Sequence, residues 1–511
     1  MNAIVSQDDI RKAVVDSLSA PSEDISRDIM LAAGGRPDRI EKAITTGSGL
    51  VAYDLQAPAK NLYPVNTPLI KRIPRIGGGT GTATNWKAVN AITGSGFDNT
   101  GWVPEGQRAG QMSYTTSSKS AAYATLGEED QATWEAVSAG RTFEDVRATM
   151  TMRLIQKTKL KEEAGVLFGN NSLQLGTPSA PSLAAAGSGA TLAAATYSVI
   201  VVALTMEGYR NSSLTAGVAT SKTVTGADGK TFTINGGSSA PSTNTTQAVT
   251  LGQTLSCTAT AIQGAVAYAW FVGTAGSEKL EKITTINSAT FSAPLAGTHQ
   301  AATAVTADCS TNSTAFDGLL TTALKSGSGA YINSLVTGTA GTGTTLTSSG
   351  KGSVNEIDTM LQSMWDSAQV SPTILLMNSQ QLKDVTTKAL SNGSAPLLQY
   401  FQDPAAGEVR LTAGGTIDFY YNPFLNGGMK IPVVIHPLVA PGTILAWAED
   451  LPMQYQSNEV PNVAEMKVRR DYYQIDWPVT TRAQMVGVYS EETLAVYAPF
   501  AMAAITNIAA G

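Results

Sequence analysis

The residues best suited to proton transfer and metal binding near neutral pH are histidines, and this chain has only two. His299 lies in an Ala- and Thr-rich stretch, and His436 sits between the apolar "PVVI" and Pro437. They are far apart, and neither belongs to a metal-ligand motif. "GADGKT" (226–231) ends like a phosphate-binding loop, but Val224 stands where its first glycine is needed and no helix pattern follows. Asp228-Gly229 reads instead as a hairpin turn. "IGGGTGTATNW" fails the dinucleotide pattern because Thr82 or Thr84 takes the place of its third glycine. Glu128-Glu129-Asp130 reads as a solvated or interfacial acidic turn rather than a catalytic pair. No catalytic residue, cofactor site or metal site is expected, and the chain is not read as an enzyme.

Cys257, Trp270 and Cys309 form a different kind of set. "LSCTATAIQGAVAYAWFVG" resembles an immunoglobulin strand carrying a cysteine, followed by a core tryptophan. The interval from Trp270 to Cys309 is shorter than usual, and no tyrosine stands two residues before Cys309. A protein made in a reducing cytoplasm keeps its thiols free. Two buried free thiols are therefore favoured over a disulfide.

The elements that would carry any site come next. The 511 residues have room for roughly two to four domains. Charged residues make up 14%, against about 25% in typical globular proteins. So sparse a charge suits a subunit whose surface is covered by others, or a mostly β extracellular protein. The formal charge of −6 gives no basic footprint for sequence-specific nucleic-acid binding. The N-terminus lacks the pattern of a signal peptide. The longest apolar run, Leu494 to Ile505, contains Pro499 and falls short of a membrane span. A soluble, cytoplasmically made chain with no membrane partner is expected.

Residues 1–50 read as an amphipathic N-terminal arm, and 51–76 as an extended strap in which "LYPVNTPLIKRIPR" forbids a long helix. A long hairpin is expected over 77–127, with strands at 83–92 and 111–127. Residues 142–168 predict one long helix, started by a Thr142/Asp145 capping box and ended at Gly169.

The composition then changes. Between Pro178 and Ser310 there are five bases (Arg210, Lys222, Lys230, Lys279, Lys282) and five acids (Glu207, Asp228, Glu278, Glu281, Asp308). Short strand-like runs separated by turns predict an inserted β-sandwich over 178–310. "TYSVIVVALTMEGYRNSS" is read as a strand and a turn. Beyond the insert, a capping box at Ser353/Glu356 opens a helix with Ile357, Leu361, Met364 and Trp365 on one face. "SPTILLMN" predicts a buried strand and "SQQLKDVTTKAL" a second helix, and strands follow from Thr416 onward.

This order resembles the major capsid protein of tailed bacteriophages, the Hong Kong 97-type fold. The resemblance is carried by "LYPVNTPLIKRIPR", the 77–127 hairpin, the 142–168 helix and "VNEIDTMLQSMWDSAQVSPTILLMNSQQLKDVTTKAL". It implies an α+β chain: extended loop 77–127, peripheral domain 128–177 with its spine helix, mainly axial domain 311–450, and a return to the peripheral domain over 451–511. The inserted 178–310 module looks immunoglobulin-like or fibronectin type III-like. It implies self-assembly into hexamers and pentamers of an icosahedral virion shell, made in a bacterial host cytoplasm. The DNA inside would be enclosed without sequence-specific binding. A portal and a separate scaffold protein would be partners. Phe97 and Trp102, at the hairpin tip, are the expected inter-subunit contacts; packing within their own chain is the other reading. The insert is expected to face outward as a dispensable decoration, with host-surface glycans as the other possible ligand. A bacterial surface adhesion protein with such a module is the alternative function.

Overall fold

The computed structural model describes residues 63–94, 102–141, 144–350, 352–391, 399–402, 409–412, 417–425, 428–452, 455 and 462–511. The N-terminal arm and most of the strap lie outside them. The fold is α+β. Residues 63–511 hold together as one unit, with the 178–310 stretch included.

A six-stranded mixed sheet runs in the order Tyr331–Ser334, Met502–Thr506, Ile444–Trp447, Ile374–Met377, Met429–Ile435, Phe419–Asn422. "ILLM" shows why it lies at the centre. Ile374 and Leu376 point into one core with Leu445, Trp447, Met502 and helix Leu319–Leu324. Leu375 and Met377 point into another, with Ile357, Met360, Leu361 and Met364 of helix Asn355–Ala368 and Leu382 and Val385 of helix Ser379–Ser391. A strand buried on both faces needs apolar residues at every position, which gives the unbroken run. The Ser353/Glu356 box does not form: Val354 is the cap residue, with no side-chain bond, and the Glu356 carboxylate accepts from Thr347 N–H at 2.9 Å.

A second sheet runs Arg75–Ile76, Ala464–Asp476, Ala483–Val496, Ala124–Thr133. The long helix Val146–Phe168 packs on it through Met150 and Leu154, against Ala132, Val486 and Val488. This helix begins later than the sequence suggested. Asp145 is the cap, accepting from Arg147 N–H at 3.1 Å and Ala148 N–H at 3.2 Å, and Thr142 and Phe143 lie outside the described residues. At 1.5 Å per residue its 23 residues span about 35 Å. Gly169 ends it without a left-handed turn. A Cβ there would lie 2.4 Å from the Phe316 carbonyl oxygen, so close approach of the backbone requires the glycine.

Within 178–310, two antiparallel sheets face each other. Lys279–Thr284, Ala267–Gly273, Ala195–Leu204 and Thr245–Val249 form one; Ser288–Phe291, Thr254–Thr258 and Ser182–Ala186 form the other. Val199, Val201, Trp270 and Val272 meet Leu255, Cys257, Ala289 and Phe291 between them. The alternate residues Val202, Leu204, Ala269 and Phe271 fill a further core with Val218, Leu280 and Val305. "VIVVAL" is thus an unbroken apolar run because both its faces are covered. After it comes a short helix, Met206–Asn211, capped by Thr205, where a turn was expected. The hydroxyl of Thr205 accepts from Gly208 N–H at 3.1 Å and so competes for the chain at that point.

The base of this region is built into the rest of the molecule. Met206 and Val266 belong to the main core with Leu69, Val166 and Leu320. Asn287 and Asn507 exchange hydrogen bonds in a fully buried pair: Asn287 N–H donates to Asn507 Oδ1 at 2.8 Å, and Asn507 Nδ2 donates to Asn287 Oδ1 at 3.1 Å. Excision of 178–310 would therefore open the core as well as remove a module.

Candidate functional site: the long hairpin and its anchorage

Strands Ala83–Thr93 and Ser113–Ala122 pair antiparallel from Ala83↔Ala122 to Thr93↔Ser113, with one irregularity between Val89 and Ala91. They form a sheet of two strands. Large apolar side chains along them face solvent: Ile92 is 69% exposed, Met112 68% and Tyr114 66%. Trp102, beyond the first strand, is 86% exposed; no neighbour among the described residues covers it. Phe97 lies outside the described residues.

The hairpin is fastened at its other end. Trp86 meets Tyr497 edge-on with ring centroids 5.3 Å apart. Arg469 Nη1 donates to the Gly81 carbonyl at 2.8 Å, and Gly79 N–H donates to the Val468 carbonyl at 3.1 Å. A Cβ on Gly79 would run into the hydroxyl end of Tyr123 and crowd the Val468 carbonyl oxygen, 3.2 Å away. From Ala124 the return strand leaves the hairpin and continues as Ala124–Thr133 of the four-stranded sheet. The acidic triplet is therefore on a strand, not in a turn. Glu128 pairs with Lys161 of the long helix, and Glu129 accepts from Trp477 Nε1 at 3.0 Å and from the Tyr489 hydroxyl. Hydroxyl donation to Glu129, after burial, pushes the Tyr489 phenol above its ordinary range.

Just before the hairpin, the strap is held by two neighbouring carboxylates of the long helix. Glu163, fully buried, accepts from Leu69 N–H at 2.8 Å and Ile70 N–H at 3.0 Å. The same carboxylate meets His436 Nε2 at 2.8 Å. Because His436 Nδ1 accepts from Leu438 N–H at 3.1 Å, Nε2 carries the proton and donates to Glu163. His436 is thus a buried structural residue that ties the Met429–Ile435 strand to the helix and the strap.

Glu162, 1% exposed, faces Arg75 of the strap. Arg75 also reaches Asp471 at 2.5 Å and Glu492 at 3.0 Å, and its guanidinium lies over the Tyr472 ring. Burial opposes the charge on Arg75, but Glu162 and Glu492 outweigh it and hold the proton more firmly. Burial pushes the Glu162 carboxyl up to about 7; nearby Glu492 adds to this, while Tyr472 and Arg75 oppose it. Glu492 is raised too, again first by burial. The arrangement is an ionic clamp: one arginine shared by two buried acids, where the chain turns from strap to hairpin. The sequence reading missed both glutamates, although a signal was present. Met150, Leu154, Thr158, Glu162 and Val166 follow at four-residue steps, which places Glu162 on the buried stripe.

The remaining sequence candidates fall elsewhere. His299 is half-buried in the 178–310 region. Gly226–Lys230 is a hairpin turn, with Gly229 at φ 77°. Cys257 and Cys309 are both free, but only Cys257 is buried, and burial pushes its thiol up to about 12. Among the described residues no group of three or more His, Cys, Asp or Glu side chains is placed to hold a metal ion. No helix among them is long and apolar enough to cross a membrane.

No family model matches the sequence, and no curated protein matches it. Solved structures do show similarity. The capsid of a native GTA particle is 9% identical, covering 91% of this chain and 97% of that one with a TM-score of 0.39. The capsid of Myoviridae phage XM1 is 9% identical, covering 92% and 100% at a TM-score of 0.40. A chain from Gordonia phage Cozz is 7% identical, covering 91% and 93% at a TM-score of 0.40.

Proposed function

We propose that this chain is a tile of a self-assembling icosahedral shell, the major capsid protein of a tailed bacteriophage. The observation that carries the reading is the hairpin. Two strands alone are marginal in water, and this pair presents Trp102, Ile92, Met112 and Tyr114 to solvent instead of to its own core. A hairpin fastened at one end, with large apolar side chains exposed toward the other, is completed by a second copy. In this reading Phe97 and Trp102 rest on a neighbouring subunit of a hexamer or pentamer. The helix Val146–Phe168 is the spine of the peripheral domain, 311–450 is mainly the axial domain, and 451–511 returns to the periphery. The 178–310 double sheet is an immunoglobulin-like module facing outward, with a stabilising role. The enclosed DNA is held without sequence recognition, and a scaffold protein and portal complete the particle.

Negative-stain microscopy of the expressed chain, alone and with a companion scaffold, tests this. Closed particles of uniform diameter are expected. A well-folded chain that stays monomeric under every condition overturns the reading.

A further inference from the structure

The stretch "IGGGTG" (76–81) joins the strap to the hairpin, and four of its residues are glycine. Gly78 and Gly81 take φ of 86° and 71°. A Cβ on Gly77, Gly78 or Gly81 would meet no atom within 4 Å, so nothing packs against this run. Glycine leaves the backbone its widest choice of conformations, and such a run stays put only if its ends are held. Downstream, Gly79 N–H bonds the Val468 carbonyl and the Gly81 carbonyl accepts from Arg469. Upstream, the ladder is two residues long, Arg75 and Ile76 against Met466 and Lys467. Most of the upstream hold therefore falls to the Arg75 side chain and its clamp.

That clamp carries more negative charge than positive. Glu162 of the long helix and Glu492 of strand Ala483–Val496, both buried, touch the same guanidinium, so they also lie close to each other. Two carboxylates that share one site do not both ionise readily. Strand Ala464–Asp476 adds Asp471, which also reaches Arg75, and Tyr472, whose hydroxyl donates to Glu162. Burial and that bond raise the Tyr472 phenol, so it stays protonated. Ser490 donates to Glu492 at 2.7 Å. The ammonium of Lys159 stands 5.8 Å from the centre of the Tyr472 ring. The next acid along the helix, Glu163, is engaged by His436 and two strap amides. With every acid ionised, Arg75 alone would bridge Glu162, Glu492 and Asp471. A proton on Glu162 relieves this excess, and burial holds that proton up to about 7.

We propose that the clamp is a proton-operated latch on the root of the hairpin: it keeps the strap closed on the sheet while Glu162 is protonated, and the glycine run opens once that proton leaves. Opening brings Glu162 into water, where a glutamate titrates near 4.3. Between about 4.5 and about 7 the open form binds fewer protons than the closed one, so raising the pH through that window favours opening. Above it both forms have lost the proton and the balance no longer moves.

Hydrogen exchange of the unassembled full chain, followed by mass spectrometry at about pH 5.5 and about pH 7.5 and corrected for the intrinsic effect of pH on amide exchange, tests this. Protection of the peptide 74–82 should fall at least about fivefold from the lower pH to the higher, while that of strand Ala195–Leu204 stays level. Glu162→Gln has no proton to lose and should abolish the step. Glu492→Gln removes the neighbouring charge and should move the step to lower pH; this variant decides the matter if Glu162→Gln does not fold. Protection of 74–82 that is independent of pH in the parent overturns the proposal. So does an equal fall in strand Ala195–Leu204, or a step that both variants leave unmoved.

Discussion

The hairpin Ala83–Ala122 and the double sheet of 178–310 are both β-structure, yet they solve opposite problems. The double sheet closes on itself. Trp270 and Phe271, adjacent in one strand, are both 0% exposed because each face of that strand has its own covering layer. Among the described residues the hairpin has no second layer beyond Trp86, and Val89, Ile92, Met112 and Tyr114 stay in water. The low charge of 178–310 reflects interior, whereas the apolar residues of the hairpin mark surface waiting for a partner. Similar polarity in sequence therefore means burial in one region and exposure in the other. What separates them is the number of strands available to cover each face.

The most severe way to break this contrast is Trp270→Ala. It should lower stability by about 3–5 kcal/mol, as truncations of fully buried aromatics do, in chemical unfolding of the isolated chain. A loss below about 1 kcal/mol would mean that the double sheet does not depend on its own core. Next comes Arg75→Met at the base of the hairpin. Leaving Glu162 and Glu492 buried without their cation should cost about 3 kcal/mol, the lower end for a broken buried pair, because Glu162 can protonate instead.

The same group gives a pH dependence with a definite sign. An unfolded glutamate titrates near 4.3, whereas folding holds the Glu162 proton up to about 7. The folded state binds more protons in between, so this group's contribution falls as pH rises from about 4.5 to about 7. Glu162→Gln should flatten that part of the stability–pH curve; an unchanged slope would show that the carboxyl is not the source.

Asn287→Ala, which removes the side chain that donates to the Ala259 carbonyl and accepts from Asn507 Nδ2, should cost about 1–3 kcal/mol and sharpens the distinction between the closed module and its embedded base. The smallest effect on the isolated chain belongs to Trp102→Ala, within about 0.5 kcal/mol. Assembled material from the same variant should lose heat resistance. If shells of Trp102→Ala survive heating as well as the parent, the hairpin tip does not lean on a neighbour.

Local pattern made much of this legible. "ILLM", the two capped-looking helices on either side of it and the hairpin turn at Asp228-Gly229 fall where composition and periodicity place them. The boundaries were less so: Asp145 takes the cap that Thr142 seemed to offer, and Val354 takes the one expected of Ser353. What could not be read was pairing across long separations. Nothing in "RI" at 75–76 announces a parallel partner at Met466 and Lys467, and although the four-residue steps place Glu162 on the buried stripe, nothing in "KEEAG" announces that the two acids meet the strap. The acidic triplet at 128–130 shows the converse. Charge suggested a turn, yet the strand accommodates it because Lys161, Trp477 and Tyr489 stand opposite.

The reciprocal amide pair at the foot of the double sheet also imposes a timetable. Its two members are 220 residues apart, so at about 5–20 residues per second the ribosome delivers the second roughly ten to forty seconds after the first. The module can complete its own layers in that interval but cannot seat until strand Met502–Thr506 has arrived. Stalling translation before and after that strand, and probing the nascent chain by limited proteolysis, should show cuts at the foot of the module that vanish only in the longer product. Equal protection in both would mean that docking does not wait for the strand.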